Sequence, residues 1–144
     1  MLVQQILKSK PTQGVFTILP EASVSEAAQL LSSKRIGSLV VSKTGESADG
    51  ILSERDIVRE LGKRGQTCLT DKVSDMMTRK LVTCAPDDSA EWVLAKMTEG
   101  RFRHMPVLKD GKMVGLVTIG DVVKARLTEV AMENQALEEM IMGH

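Results

Sequence analysis

Aromatic side chains are nearly missing from this sequence: two Phe, one Trp and no Tyr stand among 144 residues. Surfaces that hold single-stranded nucleic acid stack bases on aromatic rings, and Phe16, Trp92 and Phe102 are too few for that. A surplus of either charge is lacking as well. Nineteen Lys and Arg balance nineteen Asp and Glu, which argues against a nonspecific polyanion binder. No run of about 18 apolar residues occurs, so no membrane-spanning helix is expected. The opening MLVQQILKSKP is too short and polar to read as a signal peptide. Cysteine is confined to Cys68 and Cys84, outside any C-x-x-C pattern, as expected of two reduced thiols in a cytoplasmic protein. His104 and His144 are the only histidines and lie too far apart for a His-based metal site. No Ser-His-Asp or Cys-His set and no Walker-type loop is present, so neither catalysis nor a catalytic cofactor is expected.

What the chain does have is one layout used twice. Arg101–Asp121 reads as a strand, a tight turn, a second strand and the start of a helix. Arg35–Asp56 has the same order, without the basic pair Arg103-His104. The match extends further. Val3, Ile6 and Leu7, a short helical stripe, return as Val73, Met76 and Met77 with a shift of 70. The apolar run Val15–Leu19 before Pro20 returns as Leu81–Ala85 before Pro86, and Val24, Ala27, Ala28 and Leu31 return as Ala90, Val93, Leu94 and Met97, both shifted by 66. Ser23–Glu26 is a capping box for the first of these amphipathic helices, and Asp88-Ser89 precedes the second. Gly50 and Asp56 return as Gly115 and Asp121, shifted by 65, so the second hairpin is one residue shorter and turns at Asp110-Gly111.

The spacing therefore predicts two β-α-β-β-α repeats: residues 1–63 with an N-terminal helix, a linker at 64–72, and a second repeat at 73–127. Breaks are expected at Pro11–Gly14 and, after the helix from Ser53, at Gly62. Each half is too small to bury enough surface alone. The two sheets should pack face to face about a pseudo-two-fold axis, leaving clefts where the halves meet. Residues 128–144 continue as a helical tail. There Leu127, Val130, Asn134, Leu137 and Ile141 fit a heptad seam or, equally, a helix lying on its own domain.

Two polar patterns stand where the clefts are expected. Ser53–Asp56 and Thr118–Asp121 each follow a strand and open a helix. A hydroxyl with an acid three residues on caps any helix start. The same arrangement could offer N–H groups to a phosphate and a carboxylate to a ribose. Arg103-His104 are either solvated or packing residues, or the groups that neutralise a phosphate. Gly37-Ser38 hold the equivalent place without charge, so the two clefts should differ in phosphate affinity.

These marks together resemble the cystathionine β-synthase (CBS) domain, and residues 1–127 look like a stand-alone CBS pair, or Bateman module. The most specific are the endings Gly50–Asp56 and Gly115–Asp121 and the strands Ile36–Val41 and Phe102–Val107. The resemblance implies an α/β (α+β) fold and a regulatory module. It also implies a disc-like homodimer, a bound adenosine ligand (AMP, ADP, ATP, NAD(H) or S-adenosylmethionine) and a regulated partner protein. Carried over by motif, one cleft would use Phe16 and Thr17 beside the adenine. Asp121 would hold the ribose, and Arg103, His104 and Thr118 the phosphate, with Met105 and Pro106 on the adjoining strand. The other would use Val82 and Thr83, Gly37 and Ser38, and Ser53, Arg55 and Asp56. A ligand-independent dimeric adaptor, with the Ser/Thr-x-x-Asp groups serving only as caps, is the competing reading.

Overall fold

The computed structural model describes residues 1–10 and 14–143. Of the break expected at Pro11–Gly14, all but Gly14 lies outside the described residues. The helices are α1 (Val3–Ser9), α2 (Val24–Lys34), α3 (Glu54–Arg64), α4 (Val73–Met76), α5 (Ala90–Gly100) and α6 (Ile119–Ile141). The strands are β1 (Thr17–Ile18), β2 (Ser38–Val41), β3 (Gly50–Ser53), β4 (His104–Lys109) and β5 (Lys112–Thr118).

Capping residues place the amphipathic helices. The Ser23 hydroxyl accepts from the Glu26 N–H at 3.1 Å and the Ser89 hydroxyl from the Trp92 N–H at 3.0 Å, each satisfying an orphan donor of the first turn. Both helices end on an arginine in the left-handed region, Arg35 (φ 54°) and Arg101 (φ 55°), where glycine is the usual choice. Helix α3 runs through Gly62, because a glycine inside a helix costs only about 1 kcal/mol. It stops at Gly65, whose φ of 71° suits glycine. Residues Gly65–Thr70, within the stretch read as a linker, form a 3-10 helix that buries Cys68 completely.

Strands β1, β2 and β3 form one sheet, with β1 parallel to β2 and β2 antiparallel to β3. Strands β4 and β5 form the other, joined through Asp110 (φ 53°) and Gly111 (φ 78°), two successive left-handed residues as a type I′ turn requires. The run expected at 15–19 is a strand only over β1. Its counterpart at 81–85 is reduced to one parallel bridge between Cys84 and Val107, in which Cys84 donates to the Pro106 carbonyl and accepts from the Leu108 N–H. Leu39, Val41 and Leu52 face the first core, while Val40 and Ile51, on the opposite face, are buried too. Both sides of this sheet are therefore covered: the halves stack through their sheets, and Met113 of β5 donates its N–H to the Glu46 carbonyl of the β2–β3 loop.

The repeats exchange their first helices. Val3 and Ile6 of α1 are buried in the second core, with Val93, Met97, Met105, Val117 and Val122. Val73 of α4 lies in the first, with Val24, Ala27, Leu39 and Leu52. Backbone bonds repeat the exchange: Val3 N–H to Asp88 and Ala90 N–H to Met1 on one side, Val73 N–H to Ala22 and Val24 N–H to Asp71 on the other. A side chain on either motif glycine would obstruct this packing. A Cβ on Gly115 would lie 2.7 Å from Leu7 of α1, and one on Gly50 would lie 2.5 Å from Met77 and 3.0 Å from the Thr78 carbonyl. The motif glycines thus make room for the exchanged segments.

Candidate functional site

Each repeat ends its hairpin on a hydroxyl that opens a helix. In the first, Asp56 Oδ2 accepts from the Ser53 N–H at 2.9 Å and Ser53 Oγ accepts from the Asp56 N–H at 3.3 Å. In the second, the Thr118 N–H to Asp121 Oδ2 bond is 2.9 Å and the Asp121 N–H to Thr118 Oγ1 bond is 3.1 Å. Both are complete capping boxes. The amides of Glu54 and Ile119, first in their helices, donate to the carbonyls of Gly37 and Arg103. Two of the first three helical amides are thus engaged at each start, leaving fewer for a phosphate than the sequence pattern suggests.

A cavity of about 730 Å³ opens between the repeats, walled by residues of both. The first contributes Gly37, Ser53, Glu54, Arg55, Asp56 and Arg59; the second contributes Lys80, Leu81, Val82 and Gly100 to His104, with Thr118 and Ile119. Five side chains in this wall are Lys or Arg, and His104 is a sixth basic group, against the two acids Glu54 and Asp56. The volume lies in the range of small-molecule sites.

The cavity regroups the residues expected from the sequence. Arg103, His104 and Thr118 share it with Gly37, Ser53, Arg55, Asp56 and Val82, not with Asp121. Ser38, which pairs with Ser53 across β2 and β3, and Thr83, next to Val82, are outside its wall, as are Phe16 and Thr17. Phe16 packs on the first core with Lys34 above its ring at 5.5 Å, and Thr17 pairs with Val40. Met105 is fully buried in the second core, and Pro106 uses its carbonyl to accept from Cys84. Alternation along β4 sends Met105 into the second core and Pro106 to the opposite face of the sheet, where it is also buried. Sequence reasoning missed Glu54, Arg59, Lys80, Leu81, Arg101 and Phe102. Arg59 lies one helical turn beyond Asp56 and donates to its Oδ1 at 3.0 Å, a spacing that could have flagged it.

Burial pushes the His104 imidazole below its ordinary range; Lys10 and Arg103 add to this, and Glu54 and Asp121 oppose it. In the ligand-free protein it is thus biased toward the neutral form at pH 7, and an anion beside it would draw a proton onto it. For the Asp121 carboxyl, burial acts upward, but hydrogen bonds from Lys10 and Thr118 and the Lys10 charge outweigh it and hold the group below the ordinary range. The Cys84 thiol is pushed up to about 12 by burial and by Asp88, so it stays protonated and unreactive. Among the described residues, no cluster of three or more His, Cys, Asp or Glu could hold a metal, and no helix is long and apolar enough to cross a membrane.

A duplicated α+β unit with a cavity between its copies is the architecture of tandem ligand-binding regulatory modules. The chain belongs to the CBS domain family, whose model matches residues 3–63 and 73–128. It is 39% identical to the mitochondrial CBS domain-containing protein CBSX3 of Arabidopsis thaliana, over 98% of this chain and 72% of that one. The crystal structure of a CBS-domain containing protein from Agrobacterium tumefaciens matches 88% of this chain and 99% of its own, with 38% identity and a TM-score of 0.82. The CBS domain pair of protein MJ0100, crystallised with 5-methylthioadenosine and S-adenosyl-L-methionine, matches 90% of this chain and 98% of its own at 25% identity and a TM-score of 0.77.

Proposed function

We propose that this CBS pair is a non-catalytic regulatory module that binds a phosphate-bearing adenosine ligand, AMP, ADP, ATP or NAD(H), and so senses cellular energy or redox state for a partner protein. One observation carries the reading. The inter-repeat cavity sets a helix-start carboxylate, Asp56, among six basic groups and beside the apolar Ile51, Leu81, Val82 and Phe102. A carboxylate suits a ribose diol, apolar walls suit a base, and an excess of cations suits phosphates. The MJ0100 pair carries adenosine compounds without phosphate, and it is this cation excess that favours phosphate here. A calorimetric panel of adenosine, AMP, ADP, ATP, NADH and S-adenosylmethionine tests the choice. Phosphate ligands should bind more tightly than adenosine and S-adenosylmethionine, and the reverse order rejects the proposal.

The complete capping boxes favour a second reading, a ligand-independent adaptor, because Ser53, Asp56, Thr118 and Asp121 already have partners. That reading requires that none of the six compounds bind. Both readings use a homodimer. Val58 on α3 is 66% exposed, and on α6 Leu127 is 66%, Leu137 55% and Ile141 83% exposed, an apolar stripe that a second copy would cover. Sedimentation should give the mass of two chains, and Leu127→Glu with Leu137→Glu should halve it. A reducing compartment, taken as the cytoplasm, suits the two buried free thiols.

A further inference from the structure

The repeat relation that pairs Val3 with Val73 also pairs Lys10 with Lys80. The two lysines are placed differently. Lys80 stands in the wall of the open cavity, and among the described residues no ion pair joins it to a carboxylate. Lys10 reaches across to the start of α6, where its ammonium lies 2.9 Å from Asp121 Oδ2 and donates to the Leu116 carbonyl at 2.9 Å. Both partners of the ion pair are only about a quarter exposed. Asp121 Oδ2 already accepts from the Thr118 N–H, so Lys10 is the second donor on that oxygen. A ribose diol placed on Asp121 would compete with Lys10 for that oxygen. Asp56 also carries a cation, but there it is Arg59 from the next turn of the same helix, with a side chain 53% exposed, able to swing into solvent without disturbing another element.

We propose that Lys10 is a latch on Asp121: it holds carboxylate oxygen Oδ2 in the ligand-free protein, and an adenosine ligand that takes Asp121 through both ribose hydroxyls must displace it. The proposal rests on the ribose role proposed above for Asp56, extended here to Asp121, its counterpart in the second repeat. It makes occupancy sequential, with the Asp56 cavity filling first and the Asp121 cleft following only where the ligand outcompetes an ammonium anchored at two points. Helix α1 ends beside Lys10 and packs on the second core, so release of the latch alters what holds α1 to the start of α6.

Adenosine is the probe that isolates this competition, because it carries no phosphate whose attraction to Lys10 would confuse the sign. In an Asp56→Ala chain, which leaves only the Asp121 cleft, Lys10→Met should raise adenosine affinity about threefold to fivefold, while Lys10→Arg should not. An adenosine affinity that stays level or falls in Lys10→Met overturns the latch. A readout without ligand checks the contact itself. By NMR titration, the Asp121 carboxyl of the otherwise unaltered chain should move up toward the ordinary range in Lys10→Met, and an unmoved titration also overturns it. A wild-type chain that binds neither adenosine nor AMP defeats the nucleotide reading, and the latch as a gate with it, whereas binding in wild type with no gain in Lys10→Met defeats the latch alone.

Discussion

Asp56 and Asp121 occupy equivalent places, third residue of a helix opened by Ser53 or Thr118, and each closes a capping box. Their surroundings diverge. Asp56 meets a cavity with basic walls, and Asp121 meets Lys10. Arg103 and His104, which belong to the repeat of Asp121, line the cavity of Asp56. The cavity brings the strand start of one copy and the helix starts of both into one wall, so side chains added to one repeat also line the space beside its twin. Two helix starts built from one motif can thus differ in charge and access without any change to the motif itself.

Deleting the carboxylates is the strongest way to test that difference. Asp56→Ala should lower AMP affinity at the cavity by at least about a hundredfold, since two charge-assisted hydrogen bonds to the ribose are worth about 1.5–3 kcal/mol each. Asp121→Ala should leave that high-affinity site within about twofold. Calorimetry measures both, with thermal melts to account for the cap each variant loses, about 1 kcal/mol. Equal losses would mean the two carboxylates are alike after all.

The next effect concerns packing. Alanine at Gly115 would crowd Leu7, and alanine at Gly50 would crowd Met77 and the Thr78 carbonyl. Each should destabilise by about 2 kcal/mol in urea unfolding, the usual cost of forcing a methyl into a filled core. A large cost at one site and none at the other would break the equivalence of the exchanged helices.

A smaller change should make the second strand start resemble the first. Arg103→Gly with His104→Ser should weaken AMP binding at the Asp56 cavity about tenfold and adenosine binding by less than about twofold, because only the phosphate loses its cations. A ratio of AMP to adenosine affinity that survives the double change would assign the phosphate to Arg55, Arg59 or Lys80.

The smallest effect is one of pH. His104 titrates lower in the folded protein than its unfolded value of about 6.5, so the unfolded chain takes up this proton first on acidification. The stability it contributes is present above about pH 6.5 and is lost as pH falls through the folded value. His104→Asn should remove that part of the pH dependence of unfolding. Ligand binding should run the other way, AMP affinity rising from about pH 8 to about pH 6, because phosphate favours the charged imidazole.

Most of the fold was legible in the chain because it is written twice. Shifts of 65 to 70 residues between matching apolar and glycine positions establish the repeat, and local chemistry places the capped helices and the Asp110-Gly111 turn. Those features depend on side chains a few residues apart. The crossing of α1 into the second core and α4 into the first was not legible, since a short apolar stripe states that it must be buried, not against what. The same holds for the site. Ser53, Asp56, Thr118 and Asp121 could be listed from spacing, as could the basic pair. That Arg103 and His104 share a cavity wall with Asp56, that Met105 turns into the core, and that Lys10 sits on Asp121 were decided by how the sheets stack and where the exchanged helices end. A contact between residues 111 positions apart, as Lys10 and Asp121 are, exists only once the second core has closed.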